Sequence, residues 1–113
     1  MHDIENKRLL CCVEDIIEGG SKGFSLSSSS NIQDIFVVYF KGQFYGYKNT
    51  CPHTGIALNW LPDVFLDINN TYIQCAVHGA IFEIETGLCV SGPCVRKCLD
   101  VVDVYVFNNQ VYV

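Results

Sequence analysis

The apolar residues of this chain fall in short runs, rich in Val, Ile, Tyr and Phe, that stop at Gly and Asn turns. Almost nothing repeats at the spacing of an amphipathic helix. The runs predict strands over residues 7–13, 23–26, 34–40, 43–48, 64–68, 72–74, 81–84, 98–107 and 110–113. Lys41-Gly42, Asn69-Asn70 and Asn108-Asn109 each separate two runs and predict hairpins, since Gly and Asn tolerate the positive φ of tight hairpin turns. Residues 25–30, rich in serine, read as a surface loop. Many short strands at this spacing predict an all-β chain, an antiparallel β-sandwich or barrel. No repeat or domain boundary interrupts it, so residues 1–113 are expected to form a single domain.

Two segments break the strand pattern, residues 49–61 and 75–80. One contains Cys51-Pro52-His53-Thr54-Gly55 and the other Cys75-Ala76-Val77-His78-Gly79. Each supplies one soft thiolate and one imidazole, and each has a Gly suited to a sharp turn. Two such loops can bind a [2Fe–2S] cluster, with two Cys on one iron and two His on the other. A single tetrahedral Zn²⁺ is the alternative. Zinc fingers usually pair Cys with Cys and His with His along the chain, whereas here they alternate.

Composition narrows the class. Half of the 113 residues are apolar and 17% are charged, which suits a folded globule with one core. The net charge of −5 and the lack of a basic patch give no basis for nucleic-acid or membrane binding. Residues 35–40 are the longest apolar run, too short for a bilayer. The N-terminus lacks the basic-then-apolar order of a signal peptide, so the expected location is cytoplasmic. Seven cysteines, an odd number, then read as metal ligands or buried thiols rather than a disulfide frame.

The pattern C-x-H followed by C-x-x-H, with Pro52, Gly55 and Gly79 beside it, resembles the Rieske iron–sulfur domain family. The resemblance runs from Phe36 to Val113 and includes Ser91-Gly92-Pro93, similar to the family's proline-containing loop near the cluster. It implies a base of antiparallel strands with a small two-loop cluster-binding subdomain, approximately residues 49–82. It implies a Rieske-type [2Fe–2S] cofactor bound by Cys51, His53, Cys75 and His78. It also implies a small soluble ferredoxin, expected to be monomeric, relaying single electrons from a flavoprotein reductase to a terminal oxygenase or similar enzyme. The chain is too short to add the family's catalytic mononuclear-iron domain and is expected not to be an enzyme. Two other roles stay open: small subunit of a multi-subunit reductase such as assimilatory nitrite reductase, or a redox sensor.

High-potential members resemble one another in a Ser and a Tyr after the second loop and in an extra Cys in each loop. Ala80, Phe82, Ile56 and Val77 occupy those positions here. Hydrogen bonds to cluster sulfurs raise the potential, so the expected centre has low potential. Residues 49–61 and 74–82 carry no charge, and Pro52, Ile56, Trp60 and Val77 could pack over the cluster or form an apolar docking patch. Cys11, Cys12, Cys89, Cys94 and Cys98 read as buried thiols without an assigned role. Ala76, where many members have Pro, and Asn59-Trp60-Leu61-Pro62 depart from the family pattern without touching the ligands.

Overall fold

A computed structural model of the chain describes residues 7–27, 32–52, 55–59, 61–76 and 79–113. Its strands are β1 (Leu9–Cys12), β2 (Gly20–Ser27), β3 (Ile32–Phe40), β4 (Gln43–Lys48), β5 (Tyr72–Gln74), β6 (Ile81–Glu83), β7 (Cys89–Ser91), β8 (Val101–Val102), β9 (Tyr105–Phe107) and β10 (Gln110–Tyr112). A single turn of 3-10 helix, Val13–Asp15, is the only helical element among the described residues. Three sheets form, in the orders β1-β10-β9, β2-β3-β4-β8 and β5-β6-β7. Every strand pair is antiparallel.

The hairpin turns follow local chemistry. Lys41 and Gly42 have φ 51° and 81°, and Asn108 and Asn109 have φ 51° and 61°, the doubly left-handed turn that suits the twist of the strands. The Glu18 carboxylate accepts the Lys41 and Gly42 N–H groups and fixes the first turn. Asn70 has φ 54°, and the Asp67 carboxylate accepts the Thr71 and Tyr72 N–H groups behind it.

The four-stranded sheet and the β5-β6-β7 sheet share one core. In β3, Ile35, Phe36, Val37 and Val38 are all buried. Phe36 stacks on Phe65 with ring centroids 4.3 Å apart. Tyr47, opposite Phe36 in the β3–β4 register, donates its hydroxyl to the Ile84 carbonyl at 2.6 Å and ties the two sheets together. Burial pushes the Tyr47 phenol well above its ordinary pKa, so this donor keeps its proton. Gly87, with φ 75°, lets the turn after β6 lie on the ring: a Cβ there would stand 2.7 Å from Tyr47 Cε1.

Apart from shifts of up to three residues at strand ends, the strand pattern read from sequence differs from the fold in four places. The run 98–107 is broken into β8, paired with β4, and β9, paired with β10. The chain changes sheets at Asp103-Val104, and Gly46 makes room, since a Cβ there would meet Val104 Cγ2 at 2.6 Å. The run 64–68 forms one isolated bridge, Leu66 with Ile73, made by the Gln74 N–H donating to the Phe65 carbonyl and the Asp67 N–H donating to the Tyr72 carbonyl. Ser25 to Ser27 lie in β2 rather than in a loop, paired against β3; residues 28–31 lie outside the described residues. The strand β7 had no run to announce it, since one Val stands between Cys89 and Ser91.

Candidate metal centre

The first loop leaves β4 through Asn49, whose N–H is accepted by the Asp34 carbonyl at 2.9 Å. At Cys51 the N–H donates to the Ile56 carbonyl at 2.8 Å, and the Cys51 carbonyl accepts the Gly55 N–H at 2.7 Å. The second loop leaves β5 and repeats this pattern. The Cys75 N–H donates to the Ala80 carbonyl at 2.8 Å, and the Cys75 carbonyl accepts the Gly79 N–H at 2.9 Å. Gly55 and Gly79 have φ 77° and 69°, the left-handed conformation that Gly adopts most readily. Both loops are therefore one frame, Cys-x-x-x-Gly-x, closed by the same two bonds. The sequence hides this equivalence, because His53 follows its Cys by two places and His78 follows its own by three.

Cys51 and Cys75 are 1% and 0% exposed and belong to one buried cluster with Leu58, Ala80, Phe82, Cys89 and Cys94. His53 and His78, with Thr54, Trp60 and Val77, lie outside the described residues. Of the apolar tip residues that are described, Pro52 is half-buried and Ile56 is 47% exposed. Ala80 and Phe82 are buried.

Several supports escaped the sequence reading. The Asn49 side chain accepts the Leu58 N–H at 2.8 Å and donates to Asn59 Oδ1 at 2.9 Å. The Asn59 amide then donates to the Leu61 carbonyl at 2.8 Å. An Asn placed just past a strand end, two residues before a Cys, was the available signal. The Ala76 N–H donates to the Leu58 carbonyl at 2.8 Å, joining the second loop to the first. Beyond β7, Gly92 (φ 103°) lies against the second loop, where an added Cβ would stand 2.8 Å from Ala80 Cα. The Ser91-Gly92-Pro93 segment thus meets the second cysteine loop through Gly92.

Of the five remaining cysteines, Cys89 and Cys94 are buried, Cys11 and Cys12 are half-buried and Cys98 is exposed. Reading all five as buried thiols therefore holds for Cys89 and Cys94, holds only in part for Cys11 and Cys12, and fails at Cys98. The Cys94 thiol donates to Cys89 Sγ at 3.2 Å, and the Cys89 thiol reaches the Ser91 carbonyl at 3.3 Å. Burial, then the Cys89 hydrogen bond, pushes the Cys94 thiol up to about 12, with Cys89, Cys51 and Cys75 adding in the same direction. Cys94 is a neutral thiol near neutral pH.

Two thiols delivered into an apolar interior by matched glycine turns, on loops tied to each other, suit a soft metal centre, since thiolates are soft ligands. The donor set fits an iron–sulfur cluster.

Comparison with known proteins agrees. The Rieske [2Fe-2S] domain matches residues 6–108. Ferredoxin CarAc of Metapseudomonas resinovorans is 41% identical over 71 residues, 63% of this chain and 61% of that protein. The match thus spans less than two thirds of that relative. The 3-phenylpropionate/cinnamic acid dioxygenase ferredoxin subunit of Photorhabdus laumondii subsp. laumondii is 24% identical over 104 residues, 92% of this chain and 90% of that one. Among solved structures, a chain in the complex of reduced oxygenase and oxidized ferredoxin of carbazole 1,9a-dioxygenase superposes with a TM-score of 0.71 at 25% identity, over 94% of this chain and 90% of that chain. The fold and site define an iron–sulfur domain built on antiparallel sheets. This chain belongs to the Rieske [2Fe-2S] domain family, whose cofactor is a [2Fe–2S] cluster.

Proposed function

We propose that this chain is an electron carrier, not an enzyme on its own, that takes single electrons from a flavoprotein reductase and delivers them to a terminal oxygenase. Cys51 and Cys75 would hold one iron, and His53 and His78 the other. The observation that carries this reading is the matched pair of glycine turns that sink Cys51 and Cys75 into one apolar cluster. The named relatives are ferredoxins, and the superposed chain comes from an oxygenase–ferredoxin complex, which supports the same role.

When bound, the cluster supplies reversible one-electron chemistry. The chain does the rest. Leu58, Ala80 and Phe82 keep water from the thiolate sulfurs. Exposed Ile56 and the uncharged residues around it offer a surface that a partner can approach without desolvating charge. On this reading the cluster-binding unit is approximately residues 49–82 of a single domain, 1–113. Among the described residues no helix is long and apolar enough to cross a membrane, and a cytoplasmic location fits this role.

The test is electron paramagnetic resonance of the dithionite-reduced protein, combined with reconstituted turnover of an aromatic-ring oxygenase. A rhombic signal of low average g, with turnover that requires this protein, is the expected result. A silent protein containing zinc would overturn the reading.

A further inference from the structure

Cys89 and Cys94 have no part in the ligand set, yet they lie in the same buried cluster as Cys51 and Cys75. They frame a strap, residues 90–93, that is exposed along its whole length. The backbone around the strap is already closed. The Cys89 N–H donates to the Lys97 carbonyl at 2.8 Å, and the Cys89 carbonyl accepts the Arg96 N–H at 3.2 Å. Beneath it the two sulfurs are 3.2 Å apart. A disulfide bond is about 2.05 Å long, so they need to approach by only about 1 Å. The strap in turn sits on the second loop through Gly92 and Ala80.

We propose that Cys89 and Cys94 are a redox-active dithiol, forming a reversible disulfide under the strap by exchange with a small aliphatic disulfide. In the first step, with the strap lifted, one cysteine gives up its proton to solvent and attacks the small disulfide as a thiolate, giving a mixed disulfide and a small thiolate that takes up a proton. In the second step the other cysteine attacks the protein sulfur and releases the second small thiol. Two protein thiols and one small disulfide thus become one protein disulfide and two small thiols. Two electrons and two protons leave the protein, and none come from the iron centre. In a reducing compartment such a bond is transient and reports oxidising conditions. When closed, it staples the strap that covers the second loop.

Burial sets the order of events. Both sulfurs lie beneath the strap, so exchange requires the strap to lift, whereas Cys98 is exposed and reacts without any opening. The holoprotein is incubated anaerobically with glutathione at graded ratios of oxidised to reduced form, quenched in acid, unfolded and alkylated, and its peptides are weighed. The visible absorbance of the cluster is recorded on the same samples. The expected result is glutathione on Cys98 first. Cys89 and Cys94 then disappear together from the alkylated pool as one linked peptide, while the absorbance is retained. Recovery of both as alkylated thiols in fully oxidised glutathione, with Cys98 modified, overturns the proposal. So does a link from either to Cys51 or Cys75 with bleaching, which would mark them as scavengers of released ligands.

Discussion

The two cysteine loops share a frame but not a foundation. Each is closed by the same pair of backbone bonds about a left-handed Gly. The first loop is braced by side chains: Asn49 spans from the end of β4 to Leu58 and Asn59, and Asn59 reaches on to Leu61. The second is braced by contact: Ala80 is buried under Gly92, and Phe82 is buried in the strand that follows. One loop is held by directional polar bonds near the surface, the other by the close approach of Gly92 to Ala80. The same metal-facing geometry can be supported either way, and the two supports fail differently when altered.

The largest effect comes from removing a sulfur, and here the two loops are expected to behave alike. Cys51→Ser and Cys75→Ser should each abolish the cluster, lowering iron per protein by more than about tenfold, because the metal ties both loops into one unit. Colorimetric iron and the reduced-state resonance signal check this. Wild-type iron in either variant removes that residue from the ligand set.

The next two changes separate the loops. Gly92→Ala places a methyl group 2.8 Å from Ala80 Cα at φ 103°. Backbone cannot yield as a flexible side chain can. The expected cost is about 2–3 kcal/mol in denaturant unfolding, felt at the second loop. Asn49→Ala leaves the partly buried Leu58 N–H without its acceptor, at about 1–2 kcal/mol, felt at the first loop. Hydrogen exchange should show the Gly79 amide exposed sooner in the former variant and the Gly55 amide sooner in the latter. Equal protection losses in both loops from either variant would mean that the Ala76–Leu58 bond makes them a single unit.

What the sequence could reveal follows the same division. Hairpins were legible wherever the turn residues themselves carry the conformational demand, as at Lys41-Gly42 and Asn108-Asn109. The cysteine loops were legible because thiol and imidazole side chains have few reasons to alternate at such spacing. Features that depend on what lies across space were not legible. Nothing local marks Gly92 as the seat of Ala80, Asn49 as the brace of Leu58, or Cys89 and Cys94 as touching sulfurs. The break between β8 and β9 belongs to this class as well, since it exists only because β4 and β10 claim successive parts of one apolar run.

The smallest effect is expected at the one frame position where the two loops differ most in burial. Ile56 and Ala80 hold the same position in the frame, each offering its carbonyl to the N–H of the Cys that opens its loop. Their surroundings are opposite, with Ile56 47% exposed and Ala80 fully buried. A hydroxyl introduced at Ala80 sits inside the apolar cluster with the cysteine sulfurs, where a hydrogen bond competes with no water. Reduction adds negative charge to the centre, so a donor there stabilises the reduced form and raises the potential. One hydrogen bond of about 1 kcal/mol corresponds to roughly 40 mV for a one-electron couple. Ala80→Ser is therefore expected to raise the midpoint by that order, from a starting value near the bottom of the range of about −150 to +300 mV spanned by Rieske centres. Ile56→Ser, with its hydroxyl turned to solvent, should leave it unchanged. Protein-film voltammetry decides the matter. Equal shifts in the two variants would show that a hydroxyl near either loop, buried or exposed, sets the potential.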